Sequence, residues 1–221
     1  MSSTPETARG PADPDGAGGA APTVEIPVPG GEVRLLAGIQ RRLLAVPGSR
    51  GAALSLSHVG EHALGWVAIS AVGVVADPAR RGGWAMVGVG SFGAHAVSVV
   101  VKRVVRRRRP DHPLVTVGVG TPSSLSFPSS HATSTTAFAL LAGAVSGVPV
   151  APALVPVMLA SRLVLGVHYP SDVFAGAAVG AGCAALTRAV WPTDAVQRAL
   201  PEALRDGARG PRTTLTPEEN R

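Results

Sequence analysis

Charged side chains are scarce in this chain of 221 residues: they make up 15%, where a soluble domain carries roughly a quarter. With 46% hydrophobic residues and a positive mean hydropathy of +0.28, that scarcity argues against an ordinary soluble domain. Cysteine is almost missing. Cys183 stands alone, which excludes an internal disulfide framework and any cysteine-rich zinc module. Aromatics are only 4%, too few to build stacking platforms for nucleic-acid bases. Lysine is rarer still, since Lys102 is the only one among twenty basic residues. No basic start followed by an apolar run opens the chain, so the sequence predicts neither a secretory signal peptide nor its cleavage. There is no internal repeat.

What is present is unevenly placed. Residues 1–32 set Arg9 against Glu6, Asp13, Asp15, Glu25 and Glu32 among Gly, Ala, Pro and Ser, and read as a disordered tail. Residues 192–221 balance five arginines with five acids and read as a polar tail. The stretch 33–191 holds fourteen basic residues against four acidic ones, so the net charge of +6 belongs to the apolar core. That core divides into runs at about 51–76, 83–101, 131–149, 150–167 and 173–191, each near the ~20 residues that a helix needs to cross a bilayer. The expected fold is all-α: an integral-membrane bundle of about five spans rather than a soluble buried bundle, because its Ala-, Gly- and Val-rich runs suit close helix packing in lipid. Trp84 and Trp191 then fall on one membrane face, as an aromatic belt would. Ahead of the first span, within 33–47, Leu36, Ile39 and Leu43 recur at helical spacing with Arg34, Arg41 and Arg42 between them, an interfacial amphipathic helix drawn to anionic lipid. Arg106 to Arg109 emerge directly from a span, which separates them from a nucleic-acid patch.

Three polar constellations stand at span ends: Lys102-x6-Arg109-Pro110, then Pro128-Ser129-Ser130-His131, then Ser161-Arg162-x5-His168-x3-Asp172. Alternating spans bring all three to one face. Together they are what phosphoryl transfer needs without a metal. Lys102, Arg109 and Arg162 offer fixed positive charge for phosphate oxygens. The helix opening near His131 adds free N–H groups, and Ser129 a hydroxyl. His168 can attack phosphorus while Asp172, four residues on, holds the other ring nitrogen's proton. His131 can give a proton to the leaving alkoxide and recover one from water.

Further polar residues fit less tightly. His58-x-x-Glu61-His62 matches an inverted zinc-peptidase pattern, but no third ligand is evident, so the residues are read as lining a head-group pocket or forming a structural cluster. His95 reads as a satisfied interior histidine and His112 as a loop residue near the phosphate. The seventeen residues Asp111 to Phe127 form a long loop between two phosphate-binding elements, a candidate for head-group recognition.

The pattern K-x6-RP, PSxH and SR-x5-H-x3-D resembles the type 2 phosphatidic acid phosphatase (PAP2) superfamily, which includes membrane lipid phosphatases, soluble acid phosphatases and vanadium haloperoxidases. The resemblance implies that His168 is a nucleophile forming a phosphohistidine, Asp172 its orienting partner and His131 the general acid. It implies phosphate binding by Lys102, Arg109, Ser129, Ser130 and Arg162, with no metal or other cofactor. Ser130 departs from the family, which usually has glycine there. Over 33–191 the segments Arg34 to Leu43, Ser57 to His62 and Gly120 to Ser123 further resemble the actinobacterial decaprenylphosphoryl-5-phosphoribose phosphatase subgroup. That implies a polyprenyl-linked phosphosugar lipid as substrate, membrane lipids as surroundings and no nucleic acid. Alternatives are a polyprenyl-pyrophosphate, phosphatidate or phosphatidylglycerol-phosphate phosphatase, a vanadate-dependent peroxidase, and a non-enzymatic membrane partner. A bacterial plasma-membrane location is implied. Arg34, Arg41, Arg42 and Arg50 on the motif face, against chiefly Arg80, Arg81 and Arg188 opposite, point that face to the cytoplasm. Oligomeric state is not readable.

Overall fold

The computed structural model describes residues 28–191. Seven helices follow in order: α1 (Gly31–Leu44), α2 (Ser49–Val59), α3 (Leu64–Ala76), α4 (Arg81–Val105), α5 (Ser130–Ser146), α6 (Ala151–Val164) and α7 (Pro170–Val190), with one-turn 3₁₀ segments at Glu61–Ala63 and Pro78–Arg80. No strand forms among the described residues; Arg108 and Leu125 make one isolated antiparallel bridge. The expected tails lie largely outside the described residues. Gly31 and Glu32, assigned by composition to the first tail, are instead the opening residues of α1.

α5 is the axis. Every residue from Ala132 to Ala139 is buried, because α4, α6 and α7 pack around it. Its face toward α7 meets glycine. A Cβ on Gly180 would lie 2.3 Å from the Thr133 carbonyl oxygen and one on Gly176 2.7 Å from that of Ser129, so the two backbones approach as only small residues allow. Away from the site, Trp66 stacks on Phe138 at 4.7 Å between ring centroids, amid Met86, Val87, Leu141 and Met158. Outward faces of α3, α4 and α7 expose Leu64, Ile69, Val72, Val89, Phe92, Val100, Val104, Phe174 and Leu186, an apolar rind suited to lipid.

Among the described residues two helices are long and apolar enough to cross a membrane, Pro78–Val105 and Pro170–Val190, and a third span results if Ser49–Val59 and Glu61–Ala76, bent by 49°, are one. The expected five therefore reduce to two or three long ones. The expected span 51–76 is broken where His62 (φ 50°) and Ala63 (φ 61°) adopt left-handed conformations, rare for non-glycine residues. The expected helix 150–167 stops at Val164 because Gly166 turns to φ +64°, where a Cβ would meet the Thr116 carbonyl oxygen at 2.4 Å. At 14 residues α6 spans about 21 Å, short of the ~30 Å of hydrocarbon. α5, at 17 residues, ends on left-handed Gly147.

α1 packs on the bundle through Leu36, which joins Val115, Ala132, Leu163 and Val173, with Ile39 beside them. Trp84 and Trp191 are half-buried against the main core rather than set out as a belt, and Trp84 Nε1 donates to Asp77 Oδ2 at 3.2 Å.

Candidate active site

At one end of the bundle, residues from α2, the 3₁₀ turn after it, α4, α5, α6 and two loops enclose a cavity of ≈ 280 Å³. Lys102, Arg109, Ser130, His131, Arg162 and His168 all line it, although they come from α4, α5, α6 and two loops. Ser129 and Asp172 do not line it; they stand behind it as supports. Ser129 caps α5, its Oγ accepting from the Ala132 N–H at 3.4 Å, and its own N–H donates to the Asp172 carbonyl at 3.0 Å. The Tyr169-Pro170-Ser171-Asp172 stretch starts α7 with proline at its first position and a capping box, in which Asp172 Oδ2 accepts from the Tyr169 N–H at 2.8 Å.

The cations are held by protein oxygens. Lys102 Nζ donates to the carbonyls of Leu125 (3.2 Å) and Ser126 (3.1 Å), leaving one of its three N–H bonds for the cavity. Arg162, 2% exposed, donates from Nη1 to Ser57 Oγ (3.0 Å), from Nη2 to the Ala53 carbonyl (3.2 Å) and from Nε to Ser161 Oγ (3.1 Å). Arg109 donates from Nε to the Ser123 carbonyl (2.9 Å) and from Nη1 to the Val167 carbonyl (2.6 Å). Burial lowers its guanidinium to about 10, still fully charged at neutral pH. Guanidinium planes are thus fixed before any anion arrives.

His168 is 3% exposed. Its Nε2 lies 3.2 Å from Arg109 Nη1, and because arginine only donates, Nε2 is the unprotonated nitrogen, whose lone pair accepts that bond until a phosphate takes Arg109's place. The ring proton is then on Nδ1, which faces Asp172 Oδ2 at 3.6 Å, longer than a hydrogen bond. Burial pushes this imidazole down to about 3, with Arg109 and Lys102 adding to the shift and Asp172 opposing it. The ring is uncharged at neutral pH. His131 Nε2 donates to the Ser57 carbonyl at 3.0 Å, which leaves its Nδ1 available for proton exchange. Gly60 makes room for that ring, since a Cβ there would meet its Cδ2 at 2.7 Å. Ser130 Oγ is hydrogen-bonded with Ser98 Oγ at 2.7 Å, tying the α5 start to α4.

His58, Glu61 and His62 line the cavity at its rim, where His58 Nδ1 bonds the Leu54 carbonyl at 2.8 Å and His62 stands 3.9 Å from Glu61. No group of three or more His, Cys, Asp or Glu among the described residues is arranged to hold a metal ion. His95 is not a satisfied interior residue: it lines the cavity, and its buried Nδ1 has no hydrogen-bond partner. The α4 helix carries it into the wall through the spacing of His95, Val99, Lys102 and Arg103, which share a face. His112 does not line the cavity; its Nδ1 accepts from the Leu114 N–H at 3.1 Å, which turns the ring back on its own loop. Of the long loop, Val119 to Ser123 and Leu125 form a wall.

Several contributors carry no sequence signal of their own. Arg107 donates to Asp172 Oδ1 at 2.9 Å, sits 4.0 Å over the Tyr169 ring and pairs through Nη2 with Glu32 of α1. Burial opposes the charge of Arg107, but Glu32, Asp172 and Tyr169 outweigh it and raise its pKa. Ser57 serves both Arg162 and His131. Gln40, 3% exposed on α1, clamps the long loop: its Nε2 donates to the carbonyls of Thr116 (2.7 Å) and Val164 (2.9 Å), and its Oε1 accepts from the Thr116 N–H (2.9 Å). Ser57 meets two side chains and Gln40 backbone atoms, all far along the chain, so neither neighbours nor spacing marks them.

An all-helical membrane bundle whose end gathers fixed cations around an uncharged histidine backed by a carboxylate has the arrangement to transfer a phosphoryl group. The chain belongs to the PAP2 superfamily, whose profile matches residues 83–195. It is a phosphoric monoester hydrolase and a membrane lipid phosphatase. The decaprenylphosphoryl-5-phosphoribose phosphatase of Mycobacterium tuberculosis (strain H37Rv) is 52% identical over 73% of this chain and 92% of its own length. That of Mycolicibacterium smegmatis is 58% identical over 67% and 82%. The fold matches a transmembrane PAP2-type phosphatidylglycerolphosphate phosphatase from Bacillus subtilis with a TM-score of 0.55 at 20% identity, over 71% of this chain and 84% of that one.

Proposed function

We propose that this protein removes the 5-phosphate from decaprenylphosphoryl-5-phosphoribose, releasing decaprenylphosphoryl ribose and inorganic phosphate on the route to cell-wall arabinan. The observation that carries the reading is the juxtaposition of the His168 Nε2 lone pair with three cations inside one cavity. Relatives named for this activity, at 52–58% identity, support the substrate. At ≈ 280 Å³ the cavity lies near the lower end of small-molecule sites (~300–1,000 Å³). It suits a phosphorylated sugar and leaves a polyprenyl chain outside in lipid.

In this mechanism the 5-phosphate lies among Lys102, Arg109 and Arg162. His168 Nε2 attacks phosphorus while the bond from phosphorus to the ribose C5 oxygen breaks. Asp172, held by Arg107 and by the Tyr169 N–H, stabilises the proton on His168 Nδ1 as positive charge develops. His131 Nδ1 takes the proton carried by the incoming monoester monoanion and passes it to the leaving alkoxide. Water then attacks the phosphohistidine, returns a proton to His131 and frees phosphate and His168. Positive charge is supplied by the three side chains, so the reaction is independent of metal. Ser129 acts through the helix cap, and Ser130 through its tie to Ser98. His58, Glu61, His62 and His95 face the sugar from the rim.

The protein resides in the bacterial plasma membrane with this end toward the cytoplasm. Arg81 on the opposite side is buried and donates to the Val74 carbonyl, and Arg80 pairs with Asp77, which strengthens the charge asymmetry between the two ends.

The test is phosphate release in neutral detergent with EDTA from decaprenylphosphoryl-5-phosphoribose, a polyprenyl pyrophosphate, phosphatidate and phosphatidylglycerol phosphate, each beside His168→Ala. EDTA-resistant release, greatest on the phosphoribosyl lipid and lost in the variant, is expected. Greater release from another lipid would keep the chemistry and refute the substrate.

A further inference from the structure

Four cations line the cavity, and three of them are spoken for: Lys102, Arg109 and Arg162 each donate to two or more protein oxygens. The fourth, Arg103, is different. Its guanidinium has no hydrogen-bond or ion-pair partner among the described residues, and it is exposed. It follows Lys102 in the last turn of α4, so the helix carries one side chain into the cavity floor and the next to its rim. A desolvated cation cradled by carbonyls and an uncommitted one at the mouth are built for different anions.

The proposed substrate has two anions. One is the monoester that is cleaved. The other is the phosphodiester that joins ribose to the polyprenyl chain, which survives the reaction and leaves with the product. With the monoester among the three inner cations, one furanose ring separates it from a diester that must lie near the rim, where the polyprenyl chain enters lipid. We infer that Arg103 forms a second anion subsite at the cavity mouth, which receives the retained phosphodiester and selects lipids carrying two phosphates over those carrying one. The inference rests on the function proposed above.

Guanidinium suits this task because its planar donors match a diester's two free oxygens. The diester bears one negative charge in substrate and product alike, so the subsite contributes binding that is uniform through the reaction. Its loss therefore raises KM and leaves kcat nearly unchanged.

The experiment compares the full-length wild type, Arg103→Ala and Arg103→Lys in a neutral detergent free of anionic lipid, so that the substrate supplies the only lipid phosphates. Phosphate release is measured on decaprenylphosphoryl-5-phosphoribose and on phosphatidate, together with inhibition by the product, decaprenylphosphoryl ribose. Arg103→Ala is expected to raise KM on the phosphoribosyl lipid about tenfold and to weaken product inhibition by a similar factor, while kcat/KM on phosphatidate changes by no more than about twofold. Arg103→Lys is expected to recover most of the loss. Equal losses on both lipids, or none on either, would overturn the subsite and leave the phosphatase reading standing. A wild type that acts on phosphatidate but not on the phosphoribosyl lipid would overturn the substrate and the subsite together.

Discussion

The two ends of this bundle are held together by different physics. At the cavity end, buried cations and an amide find protein partners one by one: Arg162 on Ser57, Ala53 and Ser161, Lys102 on Leu125 and Ser126, Gln40 on Thr116 and Val164. Farther along α5 the contacts are apolar, with Trp66 stacked on Phe138 and Leu141 wholly buried. A buried cation without partners is expensive, so each fixed charge at the cavity end brings its own carbonyls and helix ends with it. The apolar end needs only shape. One region therefore sets chemistry and the other sets stability, and substitutions can be sorted by which of the two they strike.

The sharpest separation is expected from His168→Ala. It removes the attacking lone pair and lowers phosphate release about 10⁴-fold or more, while thermal unfolding in detergent stays close to wild type. Leu141→Ala is the opposite case. A cavity in the core is expected to cost about 2–5 kcal/mol of stability, read by unfolding, with kcat unchanged in the fraction that stays folded. A large fall in kcat for Leu141→Ala would break the comparison.

Arg107→Met tests whether charge at the cavity end acts through orientation. Asp172 loses its only arginine contact among the described residues, and kcat is expected to fall about 10²-fold with KM little altered and partial recovery in Arg107→Lys. An equal rise in KM would place Arg107 in phosphate binding instead. The smallest effect is expected for Gln40→Leu. The Thr116 N–H and the carbonyls of Thr116 and Val164 lose their side-chain partner, which costs about 1–3 kcal/mol in stability and raises KM several-fold through a loosened loop wall. Because the His168 ring is neutral down to about pH 3, the pH profile of kcat/KM is expected to show no loss from protonation of the nucleophile between about pH 5 and 8.

The all-helical architecture is written plainly in the apolar runs, and the residues that line the cavity stand out because a cation or histidine is conspicuous in such a chain. Helix breaks are less visible. Nothing between Ser57 and Ala63 except Gly60 announces the kink, which depends on two left-handed residues stabilised by packing. Arg107 could not be told from its neighbours Arg106, Arg108 and Arg109, since only the folded loop chooses which of them meets Asp172. Glu32 looked like tail because its partners, Ser171 and Arg107, are distant in sequence. His95 is ambiguous for a related reason: an intramembrane histidine reads alike whether its ring is satisfied or lines a cavity.

The most direct test of the central claim is rapid quenching of the wild-type enzyme with substrate carrying radioactive phosphorus in its 5-phosphate. Phosphoryl transfer to His168 predicts an acid-labile, base-stable phosphoprotein whose label maps to the peptide containing His168, forms no slower than turnover and is absent from His168→Ala. Turnover without such label, or label that persists in His168→Ala, would contradict it.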